Sequence, residues 1–150
     1  MNIIKKDILT VEKGIIVHQV NMQKTMGSGL ALQLKTKWPQ VYDSYINSPH
    51  KLGTVGIVAI DKNLYVANCY GQEFYGRNKD IVYTNYAALE SCLWSLNEWK
   101  NNYGAYGKDP TIDIYIPYNL GCGLANGDWN IVSQIIDNEI PDAIVCKLEG

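Results

Sequence analysis

The segment that most restricts the fold is Gly14–Val20, whose Ile15-Ile16-Val17-His18-Gln19-Val20 run leads through Asn21 to Met26-Gly27-Ser28-Gly29-Leu30-Ala31. A nearly continuous apolar run of this length offers no polar face to water, so it reads as a strand buried on both sides, the habit of parallel sheets. Past the glycines, Ala31, Leu34, Trp38, Val41 and Tyr45 recur at helical spacing across Pro39. That predicts two helical segments broken or kinked at the proline. A strand that enters a helix through Gly-Ser-Gly presents bare backbone N–H groups, and the positive end of a helix dipole, where a phosphate can approach without meeting a Cβ. The motif has neither the third glycine of a dinucleotide fingerprint nor the Gly-Lys-Ser/Thr of a nucleotide-hydrolase loop. A single Gly-x-Gly reads equally well as a tight strand-to-helix turn.

A second loop of the same kind strengthens the anion reading. Ile112-Asp113-Ile114-Tyr115-Ile116 alternates like a half-buried strand and leads through Pro117 into Tyr118-Asn119-Leu120-Gly121-Cys122-Gly123-Leu124. In open α/β sheets ligands collect at the carboxyl ends of the strands, so two such loops suggest two phosphates.

The remaining chain completes an alternating pattern. Residues 2–9 read as a short strand or its edge, and residues 55–60 and 64–69 flank Asp61-Lys62-Asn63 as a hairpin. Residues 71–81, polar and carrying Phe74, Tyr75 and Arg77 just after Tyr70, read as a loop with the position of a lid. Arg77 and Lys79 there are read as solvated charges, with phosphate contact the alternative. The strongest helix covers residues 83–103, with Tyr86, Leu89, Leu93, Leu96 and Tyr103 on one face, and residues 101–110 close it with turn residues. Trp129, Val132, Ile136 and Ile140 mark a last amphipathic helix, and residues 143–146 a last buried strand. Strands alternating with helices imply an α/β fold of three layers, helices on both faces of a mixed, largely parallel sheet with right-handed crossovers. With 150 residues the chain fits one domain, 1–150, large enough to build a core without disulfides or metal.

Composition narrows the function classes. Thirteen basic residues stand against fifteen acidic ones, and Lys5-Lys6 is the only adjacent basic pair, which argues against a nucleic-acid surface. No apolar run approaches the roughly 20 residues of a membrane span and the first residues lack the order of a secretory signal, so no membrane partner and a cytoplasmic location are expected. Cys69, Cys92, Cys122 and Cys146 show no C-x-x-C spacing. Three of them sit in apolar patterns as buried, reduced thiols, while Cys122, between two glycines, lines a loop or, alternatively, serves as a nucleophile. No metal and no cofactor are expected.

At this point the chain resembles a macro domain, the fold that binds ADP-ribose. The resemblance rests on Asp7-Ile8 before the first buried strand, Asn21 after it, Met26-Gly27-Ser28-Gly29-Leu30-Ala31 with Trp38-Pro39 downstream, and Gly121-Cys122-Gly123-Leu124 with Gly127-Asp128-Trp129. It is nearest the small stand-alone branch of ADP-ribose 1″-phosphate phosphatases and terminal ADP-ribose-protein glycohydrolases, phage-encoded members included. The resemblance implies ADP-ribose or a derivative as ligand, with the protein partner unknown. It further implies that Asp7 takes the adenine amino group beside the Ile8 backbone and that Asn21 bonds the distal ribose. Gly27, Ser28, Gly29, Leu30 and Ala31 would wrap that ribose and its phosphate, with Met26 a further binding residue, and Asn119, Leu120, Gly121, Cys122, Gly123 and Leu124 would cover the diphosphate, while Tyr118 and Tyr70 read as packing, with stacking on or sealing the pocket the alternative. These roles suit the residue types: a carboxylate accepts from an exocyclic amine, an amide bonds a hydroxyl, and close N–H groups neutralise phosphate without lysines.

The departures from the family pattern are equally specific. Lys6 stands where a glycine usually precedes the adenine aspartate. Glycohydrolases acting on glutamate-linked ADP-ribose carry an aspartate after the Gly-Cys-Gly-Leu run and a mid-chain lysine; here those places hold Ala125 and Val66-Ala67-Asn68-Cys69-Tyr70. What remains for phosphate-monoester hydrolysis is Asp128 and His18, as base and acid or electrostatic partner, with the first glycine loop as donor set. Each has a structural alternative, Asp128 as a helix N-cap and His18 as a satisfied core histidine. The expected activity is release of phosphate from ADP-ribose 1″-phosphate. The alternatives are a non-catalytic binder of free or protein-linked ADP-ribose, or an ADP-ribosyl-protein hydrolase that dispenses with the missing lysine and aspartate.

Overall fold

The computed structural model describes residues 1–48, 50–102 and 111–149. In chain order it contains β1 (Asn2–Lys5), a 3-10 turn (Ile8–Thr10), β2 (Gly14–Val20), α1 (Gly29–Lys37), α2 (Pro39–Asn47), β3 (Val55–Ala59) and β4 (Leu64–Tyr70). There follow α3 (Tyr86–Asn101), β5 (Ile114–Pro117), α4 (Trp129–Glu139) and β6 (Ile144–Lys147). The six strands form one sheet in the order β1-β6-β5-β2-β4-β3. Every neighbouring pair is parallel except the β3–β4 hairpin, which is the mixed, largely parallel α/β architecture expected.

The uninterrupted apolar run of β2 finds its explanation in the two-sided core. Ile15 and Val17 face α3 and α4, packing with Leu89, Leu93, Leu96, Val132 and Ile136. Ile16 faces the opposite way and packs with Leu34 of α1 and Val41 and Tyr45 of α2. A period-2 strand buried on both sides needs apolar residues at every position, and β2 supplies them up to His18.

Several boundaries differ from the sequence reading, each for a local reason. β1 stops at Lys5, four residues short of residue 9, because the Asp7 side chain accepts from Leu9 N at 3.0 Å and Thr10 Oγ1 donates to Asp7 O at 2.7 Å. These short-range bonds divert the chain into the 3-10 turn. The expected break at Pro39 is present: α1 ends at Lys37, Trp38 links the helices, and the proline opens α2, where a missing N–H costs nothing. α3 starts at Tyr86, not at residue 83, because Asn85 caps it by accepting from Ala88 N at 3.0 Å. The described part of that helix ends at Asn101, and the expected extension to Tyr103 and the closing turn fall on residues 103–110, outside the described residues. Among the described residues no helix is long and apolar enough to cross a membrane.

Candidate functional site

The carboxyl ends of β2 and β5, neighbours in the sheet, open into a cleft of about 480 Å³. One wall is the end of β2, from His18 to Asn21, with residues 25–31; the other is residues 117–121 and 123–125. Gln72, Tyr75, Gly76 and Arg77 line it as well. The two glycine loops, separate in sequence, therefore face one space.

Backbone conformation shapes the first wall. Gly29 has φ +58° and a Cβ built there would meet no protein atom within 4 Å, so the left-handed backbone and not packing requires the glycine. Ser28 occupies the N-cap of α1 without a side-chain cap bond. The N–H groups of the first turn are thus free of a side-chain acceptor and remain available to an anion. Asn21 builds the loop between strand and glycines. Its Oδ1 accepts from Gln23 N at 2.9 Å and Tyr45 Oη at 2.8 Å, and its Nδ2 donates to Thr25 O at 3.0 Å. One amide hydrogen of Asn21 is left for a ligand.

The second wall is held from beneath. Asn119 and Gly121 adopt φ +66° and +69°, and Gly121 O accepts from Thr84 Oγ1 at 2.6 Å and Gly127 N at 2.9 Å. Gln19 completes this support: its Nε2 donates to Thr84 Oγ1 and Gln72 Oε1, both at 2.9 Å, while its Oε1 has no hydrogen-bond partner. A Cβ on Gly121 would come within 2.9 Å of that amide oxygen and of Thr84 Oγ1, so side chains beneath the loop exclude any larger residue.

Gln19, Gln72, Tyr75 and Gly76 line the cleft without having been singled out as site residues, and Arg77, read in the sequence as a solvated charge with phosphate contact the alternative, lines it while Lys79 does not. Gln19 had a sequence signal, an amide inside an otherwise apolar parallel strand. The others lie in stretches with no periodicity to locate them.

Of the candidate residues, His18, Asn21, Met26, Gly27, Ser28, Gly29, Leu30, Ala31, Tyr118, Asn119, Leu120, Gly121, Gly123 and Leu124 line the cleft. Tyr118 also packs on Trp129, with ring centroids 4.7 Å apart, and Lys147 Nζ lies 4.4 Å from its ring centroid. Asp7, Ile8, Cys122 and Asp128 are not among the lining residues. Asp7 caps the 3-10 turn through Oδ1 and Ile8 is buried. Cys122 keeps its proton: its Sγ donates to Leu120 O at 3.3 Å, and burial, reinforced by the Asp128 charge, pushes the thiol up to about 11. That removes the thiolate a nucleophile requires. Asp128 is the N-cap of α4, its Oδ1 accepting from Asn130 N at 2.9 Å, and its own N–H donates to Tyr86 Oη at 2.9 Å.

His18 is 2% exposed and its Nε2 is hydrogen-bonded to Asn68 Oδ1. An amide oxygen only accepts, so the ring carries its hydrogen on Nε2 and leaves Nδ1, which has no partner, as a lone pair. Burial, opposed only in part by the Asn68 bond, lowers the imidazole to about 4. The ring is neutral at pH 7, donating through Nε2 to Asn68 and leaving Nδ1 open as an acceptor. The same shift sets a pH dependence. Because the folded pKa lies below the unfolded value of 6.5, the unfolded chain binds the extra proton first, and stability falls as pH drops from 6.5 towards 4. The loss from this group is on the order of 3 kcal/mol. Urea unfolding across that window should show it, and His18→Gln, which retains an N–H for Asn68 but cannot charge, should flatten the slope.

A six-stranded, mostly parallel sheet between helix pairs, with two glycine turns meeting over its carboxyl edge, is the architecture of the macro-domain fold. The structure matches the macrodomain of Mycobacterium tuberculosis DarG with a TM-score of 0.74 at 21% identity, over 97% of this chain and 95% of that one. It matches Thermosipho africanus DarTG in complex with ADP-ribose with a TM-score of 0.72 at 20% identity, over 99% of this chain and 42% of that chain. No family model matches the sequence. The chain is 30% identical over 141 residues, 89% of its length and 86% of the relative's, to an uncharacterized 17.5 kDa protein of the tk-vs intergenic region of enterobacteria phage T4. Its fold is that of the macrodomains, and it belongs to one family with that phage protein.

Proposed function

We propose that this macro domain binds ADP-ribose in the cleft and hydrolyses ADP-ribose 1″-phosphate to ADP-ribose and phosphate. The observation that carries the binding reading is the convergence of two left-handed glycine turns on one cleft whose lining contains no Asp or Glu. A diphosphate entering there meets N–H groups on both sides and no like charge to repel it. The ADP-ribose held by the Thermosipho protein of the same fold supports the choice of ligand.

In this reading residues 27–31 hold the distal ribose and its phosphate, residues 119–124 cover the diphosphate, and the remaining Asn21 amide hydrogen meets a ribose hydroxyl. Asp7, with the Ile8 backbone, takes the adenine. Asp128 orients the attacking water; it is joined to the second turn through Gly127, whose N–H bonds Gly121 O. His18 contributes as an acceptor through Nδ1, and the turn N–H groups balance charge on the phosphoryl oxygens.

A second reading, a non-catalytic ADP-ribose binder, is favoured by the placement of Asp128, a cap on α4 that does not line the cleft. Incubation with ADP-ribose 1″-phosphate and, separately, with glutamate-linked ADP-ribosyl protein distinguishes the outcomes. Release of phosphate from the first supports the phosphatase, release of ADP-ribose from the second supports a protein de-ADP-ribosylating activity, and release from neither supports the binder. Adenine recognition has its own check. Asp7→Ala should weaken ADP-ribose binding about tenfold or more, the loss of one charge-assisted hydrogen bond, whereas an unchanged calorimetric affinity would remove Asp7 from the site.

A further inference from the structure

We propose that Arg77 is the specificity-determining residue of the cleft, selecting ligands that carry a phosphomonoester in addition to the diphosphate. The inference rests on the ADP-ribose reading of the site. Arg77 is the only residue with a formal charge at neutral pH among those lining the cleft. Its neighbours there are glycines, apolar side chains, hydroxyls, amides and the neutral His18. A diphosphate can be accommodated by the N–H groups of the two turns, but a terminal phosphomonoester adds a charge of about −1.5 to −2 and three more acceptor oxygens. A guanidinium matches that group by charge and by its two-pronged donor geometry.

The backbone around Arg77 is tied to both walls, which distinguishes it from a charge on a freely solvated loop. In the loop that joins the two parts of the first wall, Met22 N donates to Glu73 O at 3.0 Å and Tyr75 N to Gln23 Oε1 at 2.9 Å. On the second, Asn126 Nδ2 donates to Asn78 O and Ile81 O, at 3.0 and 2.7 Å, and Tyr83 N to Ala125 O at 2.8 Å. Arg77 lies between these tethers. Gly76 before it passes so close to the Tyr83 hydroxyl that a Cβ would collide with it, so the path of the strap depends on a glycine. Of the charged residues on strap 72–83, which also carries Glu73, Lys79 and Asp80, Arg77 alone lines the cleft, with its backbone fixed on either side.

The test is Arg77→Gln, with Arg77→Lys as the charge-retaining variant, using ADP-ribose and ADP-ribose 1″-phosphate as paired ligands. Affinities are read by calorimetry in the cold, with released phosphate assayed in the same samples. If phosphate is released, the KM for the phosphomonoester is compared with the inhibition constant of ADP-ribose. Arg77→Gln should weaken the phosphomonoester by about tenfold or more and ADP-ribose by less than about twofold, with Arg77→Lys in between. An equal loss for both ligands would place Arg77 on the shared diphosphate and overturn the selectivity. No change for either would make it a solvated strap residue and overturn it as well. Wild-type protein that binds neither ligand would overturn the ADP-ribose reading itself, a result separate from any ratio between the two.

Discussion

Gly29→Val should lower ADP-ribose affinity by roughly a hundredfold or more while the protein stays folded, the equivalent of losing two charge-assisted hydrogen bonds. Two effects act together. Valine resists the φ of +58° that starts α1, a strain of about 1–2 kcal/mol per left-handed residue before branching is counted. Its side chain also projects into space that no protein atom occupies within 4 Å, at the wall where a phosphate would approach. The fold is expected to persist because this site is exposed and the packing of α1 is carried by Leu34 on the other side. Circular dichroism and calorimetry on one preparation decide the matter. A folded variant with wild-type affinity would show that the ligand does not use this turn.

Asp128→Asn separates capping from catalysis in a single protein. Asparagine keeps an oxygen for Asn130 N, so stability should change by only a few tenths of a kcal/mol and ADP-ribose binding should be retained. If the carboxylate orients or deprotonates the attacking water, phosphate release from ADP-ribose 1″-phosphate should fall by roughly 10²-fold or more. Release at the wild-type rate would leave Asp128 a cap, and His18→Ala and Asn21→Ala would then be the variants to measure.

The parts of the fold legible in the sequence are those where one physical demand dominates. Burial on both faces dictates Ile15-Ile16-Val17, and Pro39 separates two helices because it can open a helix but not continue one. Where local side-chain bonds compete with periodicity, boundaries move: Asp7 ends β1 early and Asn85 delays α3. Both glycine loops could be located as tight turns at strand ends, since the constraint is on backbone conformation and glycine is its residue. Their support could not. Gln19 reaches Thr84 across sixty-five positions, and Arg77 enters the cleft because residues 73 and 75 bond one loop while 78, 81 and 83 bond the other. Such contacts are products of topology and leave no repeat or spacing. The alternative roles of Asp128 were equally open in sequence, because a cap and a base call for the same residue type at the same place.

The order of the strands also sets a sequence of events for the chain as it forms. β6, the last strand, is inserted between β5 and β1, so β1 has no partner in the sheet until residue 144 pairs with residue 2. A contact of such long range is among the slowest a chain can close. β2, β4 and the β3 hairpin can assemble earlier, because shorter connections join them.

 The first glycine turn, at the end of β2, thus belongs to the early-forming centre of the sheet. Asp7, which follows β1, reaches its final place only when the last strand docks. In hydrogen exchange, the amides of β1 should therefore open more readily than those of β2, which puts Asp7, the residue proposed to take adenine, beside the more labile edge of the sheet.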